Sequence, residues 1–113
     1  MDIEKLTYFI KDFALKHNFV LNSDIETIEN TTIFNYADYK AIDHKNFISL
    51  DNFKEKIELS VGKIEIEIDE IDEEEWFTLE KNKYFIVNPF DFLTEESLYE
   101  EIIEKCKKYH LIN

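Results

Sequence analysis

KIELSVGKIEIEID, residues 56 to 69, consists of two alternating runs that meet at Gly62 and Lys63. Ile57, Leu59 and Val61 alternate with polar residues in one phase, and Ile64, Ile66 and Ile68 in the opposite phase. A period of two marks a half-buried strand, because successive side chains point to opposite faces of a sheet. A change of phase by one residue is what a two-residue turn requires, and Gly at its first position suits a type II′ turn. The pattern therefore predicts a hairpin with Val61 opposite Ile64, Leu59 opposite Ile66 and Ile57 opposite Ile68, all six side chains sharing one face. Its other face sets Ser60 against Glu65, Glu58 against Glu67 and Lys56 against Asp69. Two glutamates in direct opposition cost about 0.2 to 1 kcal/mol.

Downstream, EEEWFTLE, a polar KNK and then YFIV predict a second hairpin, with strands near residues 75 to 80 and 84 to 88. Asn88, Pro89 and Phe90 end the sheet, and Thr94 caps a last helix whose apolar stripe is Leu98, Tyr99, Ile102, Ile103, Cys106 and Tyr109. Glu95 and Glu96 in its first turn and Lys105, Lys107 and Lys108 in its last complement the helix dipole. Upstream, Ile3, Leu6, Phe9, Ile10, Phe13 and Ala14 recur at helical spacing and predict an amphipathic first helix ending near His17 and Asn18. Residues 19 to 48 admit two readings. Ser23 with Glu26 fits a capping box, while Thr31, Thr32 and Ile33 favour a strand. Phe34, Tyr36 and Tyr39 are expected to pack on the sheet.

These elements predict one acidic α+β domain over residues 1 to 113. Its centre is an antiparallel sheet of about four strands, with an N-terminal and a C-terminal helix on one face and solvent on the other. A length of 113 residues suits one core, and 44% apolar residues with ten Phe and six Tyr can fill it. One Gly in the chain argues against many turns that need positive φ.

The charge balance narrows the partners. Asp and Glu number 26 against 13 basic residues, all of them Lys, for a formal net charge of −13. Such a chain repels nucleic acid and anionic membranes and favours a basic protein partner, such as a nuclease or a toxin. No apolar run reaches the roughly 20 residues that span a bilayer. The start MDIEKLTYF has no apolar stretch behind a basic one, and the single Cys106 offers no internal disulfide, so a cytoplasmic location is expected.

Eight of the eleven residues from Glu65 to Glu75 are carboxylates: Glu65, Glu67, Asp69, Glu70, Asp72, Glu73, Glu74 and Glu75. Trp76 follows them. Alternate acids on a strand lie about 6.6 to 6.8 Å apart, close to the separation of successive phosphates along one nucleic-acid strand. With Glu58 and Trp76 they form the candidate partner-binding surface, a nucleic-acid mimic that competes for a basic groove, with Trp76 or Tyr84 as aromatic anchor. A solvated strand face and loop would show the same composition.

Neither a cofactor nor a metal is expected. The acidic run lacks the spacing of an EF-hand, His17, His44 and His110 lie far apart, and one glycine cannot build a phosphate loop. Cys106 falls on the apolar stripe of the last helix, the place of a core residue and not of a nucleophile. No pair of carboxylates is marked for acid-base work, so the chain is expected to bind and not to catalyse. In size, charge and lack of a catalytic motif it resembles the small acidic inhibitors carried by phages and mobile elements, anti-CRISPR proteins among them. It also resembles bacterial immunity proteins that neutralise a toxin. The resemblance implies a stoichiometric inhibitor, with an immunity protein as the alternative, and it assigns no residues; a small carboxylate-dependent enzyme, a third reading of a different class, would instead need buried carboxylates in a deep pocket.

Overall fold

The structure, a computed structural model, describes residues 2–23, 43–53 and 56–112. Helix α1 spans Ile3–His17 and opens on Asp2, whose carboxylate accepts from the Lys5 backbone N–H at 2.8 Å. Asn18 closes it in the left-handed conformation (φ 58°), which brings the Phe19 N–H to the Ala14 carbonyl at 2.9 Å. The buried face is Leu6, Phe9, Ile10, Phe13 and Ala14, as the spacing predicts. Each of the larger side chains contributes about 1.5 to 3 kcal/mol by leaving water.

Helix α2, Glu95–Lys108, starts at Thr94, whose hydroxyl accepts from the Ser97 N–H at 3.1 Å. It buries Leu98, Ile102 and Cys106. His110 turns left-handed (φ 61°), the Leu111 N–H returns to the Cys106 carbonyl at 2.8 Å, and the Asn46 side-chain amide donates to the Leu111 carbonyl at 2.8 Å. The end of the chain is thereby tied to the sheet.

Among the described residues, four strands form that sheet in the order β1 (Val20–Ser23), β2 (Asn46–Phe53), β3 (Lys56–Ile71) and β4 (Glu74–Val87). The α+β class, a sheet of about four strands and the two terminal helices packed on one face agree with expectation, but β1 and β2 were not among the expected strands, and each expected hairpin is a single strand. One pairing differs: β1 runs parallel to β2, so the sheet is mixed, with β2–β3 and β3–β4 antiparallel. The capping-box and strand readings of residues 23 to 33, Ser23 apart, and the packing of Phe34, Tyr36 and Tyr39 lie outside the described residues.

Both expected hairpin turns are corrected. Gly62 and Lys63 lie inside β3, and Lys81, Asn82 and Lys83 lie inside β4. The two segments face each other across one ladder, where Val61 pairs with Phe85 but Lys63 with Asn82. Lys83 and Tyr84 therefore share the position opposite Gly62, a β-bulge in which Lys83 takes φ 47°. Gly62 is required for close approach and not for a turn: a methyl group there would lie 2.6 Å from the Tyr84 Cα and 3.1 Å from the Asn82 carbonyl oxygen.

The change of phase has another cause. Ile57, Leu59 and Val61 point to the helices, into the core built from α1, α2, Leu21, Ile48, Leu50, Phe85 and Val87. Ile64 and Ile66 point to the opposite face, where they join Val20 and Phe47 in a second, smaller cluster. The strand stays regular while the buried side changes. Hence the six apolar residues do not share a face, and the second face is not left to solvent: Val20, Phe47, Ser49, Ser60 and Ile64 are buried on it. Left-handed backbone is also commoner than one glycine implied, since Asn18, His44, Asp72, Glu73, Lys83 and His110 all have positive φ.

Candidate functional site: an acidic β-ribbon

Past Lys63, β3 has left β2 and, among the described strands, pairs only with β4, while Ile64 and Ile66 bond to the segment from Asp43 to Lys45. The eight residues Ile64 to Ile71, at about 3.3 Å each, give this two-stranded ribbon a length of roughly 26 Å, half of the molecule's longest dimension of 52 Å. Ile71 pairs with Glu74, so the turn is Asp72 and Glu73, with φ of 52° and 67°. Positive φ at both central residues is the type I′ geometry, whose twist matches that of the strands it joins.

Register sorts the acids by face. Glu65, Glu67 and Asp69 alternate along the helix side of β3 and are paired with Glu80, Thr78 and Trp76. On the other side Ile64, Ile66, Ile68 and Glu70 alternate, paired with Lys81, Leu79, Phe77 and Glu75. Glu67, Asp69, Glu70, Asp72, Glu73, Glu74 and Glu75 are exposed and Glu65 is half-buried, while Trp76 keeps 58% of its surface in solvent. Between Ile64 and Lys81 the chain carries nine carboxylates and one lysine. That lysine turns to the ribbon's base, where its Nζ lies 3.8 Å from Asp51 Oδ2 and 5.2 Å from the centre of the Phe47 ring.

Of the residues expected to form the surface, Glu65, Glu67, Asp69 and Trp76 come together on one face. Asp72 and Glu73 cap the tip with Glu74 beside them, and Glu70 and Glu75 oppose each other on the second face. Glu58 does not belong. It pairs with Asp51 on the second face, seven residues from Glu65 along β3, about 23 Å away. The expected pairs Ser60–Glu65, Glu58–Glu67 and Lys56–Asp69 are absent because Ser60 pairs with Ser49 and Ile86, and Lys56 with Phe53. The like-charge oppositions that do occur are Asp51–Glu58, Glu65–Glu80 and Glu70–Glu75. Glu80 was not among the sequence candidates, and its signal is the alternation Trp76, Thr78, Glu80.

Other polar groups are engaged inside the fold. Asp51 accepts from Ser49 Oγ at 2.6 Å and Ser60 Oγ at 3.0 Å, which satisfies two hydroxyls buried on the second sheet face. His17 Nε2 lies 3.0 Å from the Tyr99 hydroxyl, with Phe13 and Phe19 against the ring. Burial, aided by the charge of Lys16 and opposed by Asp12, lowers its pKa below the usual histidine value. The Cys106 thiol is fully buried, and burial pushes its pKa up to about 12, which leaves it a packing group at neutral pH. A shallow groove of about 220 Å³ between α1 and α2 is lined by Phe9, Asp12, Phe13, Lys16, Glu95 and Tyr99. Among the described residues no three His, Cys, Asp or Glu side chains are grouped to hold a metal ion, and no helix is long and apolar enough to cross a membrane.

Compared with known protein families, with characterised sequences and with solved structures, the chain matches none. Its own geometry is what bears on function.

Proposed function

We propose that this chain is a stoichiometric inhibitor that binds a basic, nucleic-acid-handling protein in the cytoplasm, with the acidic ribbon occupying the groove that otherwise holds nucleic acid. The supporting observation is the row Glu65, Glu67 and Asp69 on one ribbon face with Glu80 and Trp76 on the neighbouring strand. Carboxylates in a row spaced by about 6.6 to 6.8 Å present charge at intervals close to those of a phosphate backbone. Such a surface steers a cationic partner and speeds encounter. Trp76, exposed beside the acids, supplies an anchor onto which a guanidinium or a base-stacking pocket can close. In this reading the chain binds and does not catalyse.

The test is competition. The wild-type chain should displace nucleic acid from its partner, and the triple variant Glu65→Lys, Glu67→Lys, Asp69→Lys should lose affinity by about tenfold or more per reversed charge at low salt, some 1.4 kcal/mol each. Glu95→Lys, Glu96→Lys, Glu100→Lys on the exposed side of α2 changes the net charge equally and should bind as wild type. Equal losses in both variants would reduce the effect to overall charge, and no loss in the first would remove the ribbon from the interface.

A further inference from the structure

Lysines and aromatic rings meet repeatedly on this surface. The Nζ atoms of Lys11, Lys16, Lys81 and Lys105 lie 5.9, 5.0, 5.2 and 5.7 Å from the ring centres of Tyr8, Tyr99, Phe47 and Phe85. A ring face attracts a cation through its quadrupole, and indole does so most strongly. Trp76 carries the only indole of the chain and is more than half exposed, yet among the described residues no lysine lies over it.

Register surrounds that indole with carboxylates. Asp69 lies directly across the ladder, Glu74 and Thr78 lie two residues either way along β4, and Ile71 and Glu67, paired with Glu74 and Thr78, are the diagonal neighbours. All five share the face of Trp76, because side chains two residues apart on a strand point the same way. Directly opposed residues have Cβ atoms about 4.5 to 5.5 Å apart, and diagonal neighbours at about 7 to 8 Å are still within reach of an aromatic or long side chain. Glu67, Asp69 and Glu74 are exposed, and among the described residues none of them is paired with a lysine. Ile71, 57% exposed, adds an aliphatic surface on the side of the turn.

Trp76 and Ile71 thus form an exposed apolar patch, and the charge around it selects what covers it. A second copy of the ribbon would set nine carboxylates against nine. An apolar or aromatic group would cover the carboxylates without a counter-charge, which is unfavourable. A lysine ammonium neutralises charge but is a compact, strongly hydrated point. A guanidinium is planar and weakly hydrated; it stacks on a ring by its face while its edge offers N–H groups to a carboxylate. We infer that Trp76 stacks on an arginine side chain of the basic partner, with Asp69 accepting from the guanidinium edge, Glu67 and Glu74 flanking it and Ile71 covering the aliphatic stem. This rests on the proposed binding of a basic protein and names the side chain by which the ribbon holds it, at a buried aromatic and arginine contact of the kind that dominates interfaces.

Because the chain has one tryptophan, its emission reports this site alone. The probes are acetylated, amidated tetra-arginine and tetra-lysine peptides, titrated into the full chain at about 0.01 M salt, where screening is weak. The arginine peptide should change Trp76 emission and bind about two- to fivefold more tightly than the lysine peptide, the range of one exposed cation–π contact. In Trp76→Leu, followed by calorimetry, the two peptides should bind equally, and Asp69→Asn should weaken the arginine peptide more than the lysine peptide. Equal binding of both peptides to the wild type, emission unchanged at saturation, or a preference for arginine that survives in Trp76→Leu would overturn the stacking while leaving the acidic ribbon as a charge-only contact. Failure of both peptides to bind would overturn it together with the affinity of the ribbon for cations.

Discussion

Gly62 and His17 are single positions where the fold leaves little room for another residue, for different reasons. At Gly62 the constraint is steric, because the Tyr84 backbone of the bulge occupies the space of a side chain. Gly62→Ala should destabilise the protein by about 1 to 3 kcal/mol, since a methyl must push β4 away or undo the bulge; urea denaturation measures it, and a variant as stable as wild type would contradict the close approach. At His17 the constraint is electrostatic. An unfolded histidine titrates near 6.5, and burial holds the folded value lower, with Lys16 adding to the shift and Asp12 opposing it. Between the two values the unfolded chain binds more protons, so this contribution to stability is fully present above about pH 6.5 and is lost as pH falls through the folded value. Denaturation at pH 7.5 and 5.5 should show the loss in wild type and a smaller one in His17→Gln. A larger loss in the variant would reverse the assignment.

At the scale of elements the helices were legible and the turns were not. Each helix carries its own local evidence: apolar spacing, an Asp2 or Thr94 cap, acids first and lysines last. β3 and β4 also announced themselves by alternation, while β1 and β2 did not, but turn positions were inferred from a change of phase at Gly62, and that change records a core that switches sides of the sheet. Only tertiary packing distinguishes the two causes, because Ile64 is buried by Val20 and Phe47, which lie far away in sequence. The actual turn was concealed by its chemistry. A type I′ turn is recognised by Asn-Gly, and here it is made by Asp72 and Glu73 within a run of acids. Left-handed backbone costs an L-residue roughly 1 to 2 kcal/mol, so the tip stores strain. Asp72→Asn with Glu73→Gly should raise stability by about 1 kcal/mol, a melting-point increase of about 4 to 8 °C for a domain of this size. A decrease would mean that Asp72 and Glu73 make stabilising contacts stronger than the strain.

Over the whole molecule, the composition identified the acidic residues of the site but could not arrange them. Glu58 looked like a member and is displaced along β3, whereas Glu80 joins from β4 through a register set by the bulge. The resulting charge distribution has a consequence for stability as well as binding. The formal net charge is −13, and nine of the 26 acids sit on the ribbon with one lysine turned to its base. Repulsion among Glu65, Glu67, Asp69 and Glu80 opposes the folded ribbon, while, among the described residues, the Asp51–Lys81 and Glu101–Lys105 pairs return little. Salt shortens the Debye length from about 30 Å at 0.01 M to about 8 Å at 0.15 M, so the melting temperature of the free chain should rise over that range. It should rise less for Glu65→Gln, Glu67→Gln, Asp69→Asn, in which part of the repulsion is already gone. The complex should respond in the opposite sense, since the same screening weakens attraction to a cationic groove. The carboxylates that strain the free ribbon are thus the ones whose burden a basic partner relieves, and a melting temperature that falls with added salt would show that internal attraction, not repulsion, governs the free chain.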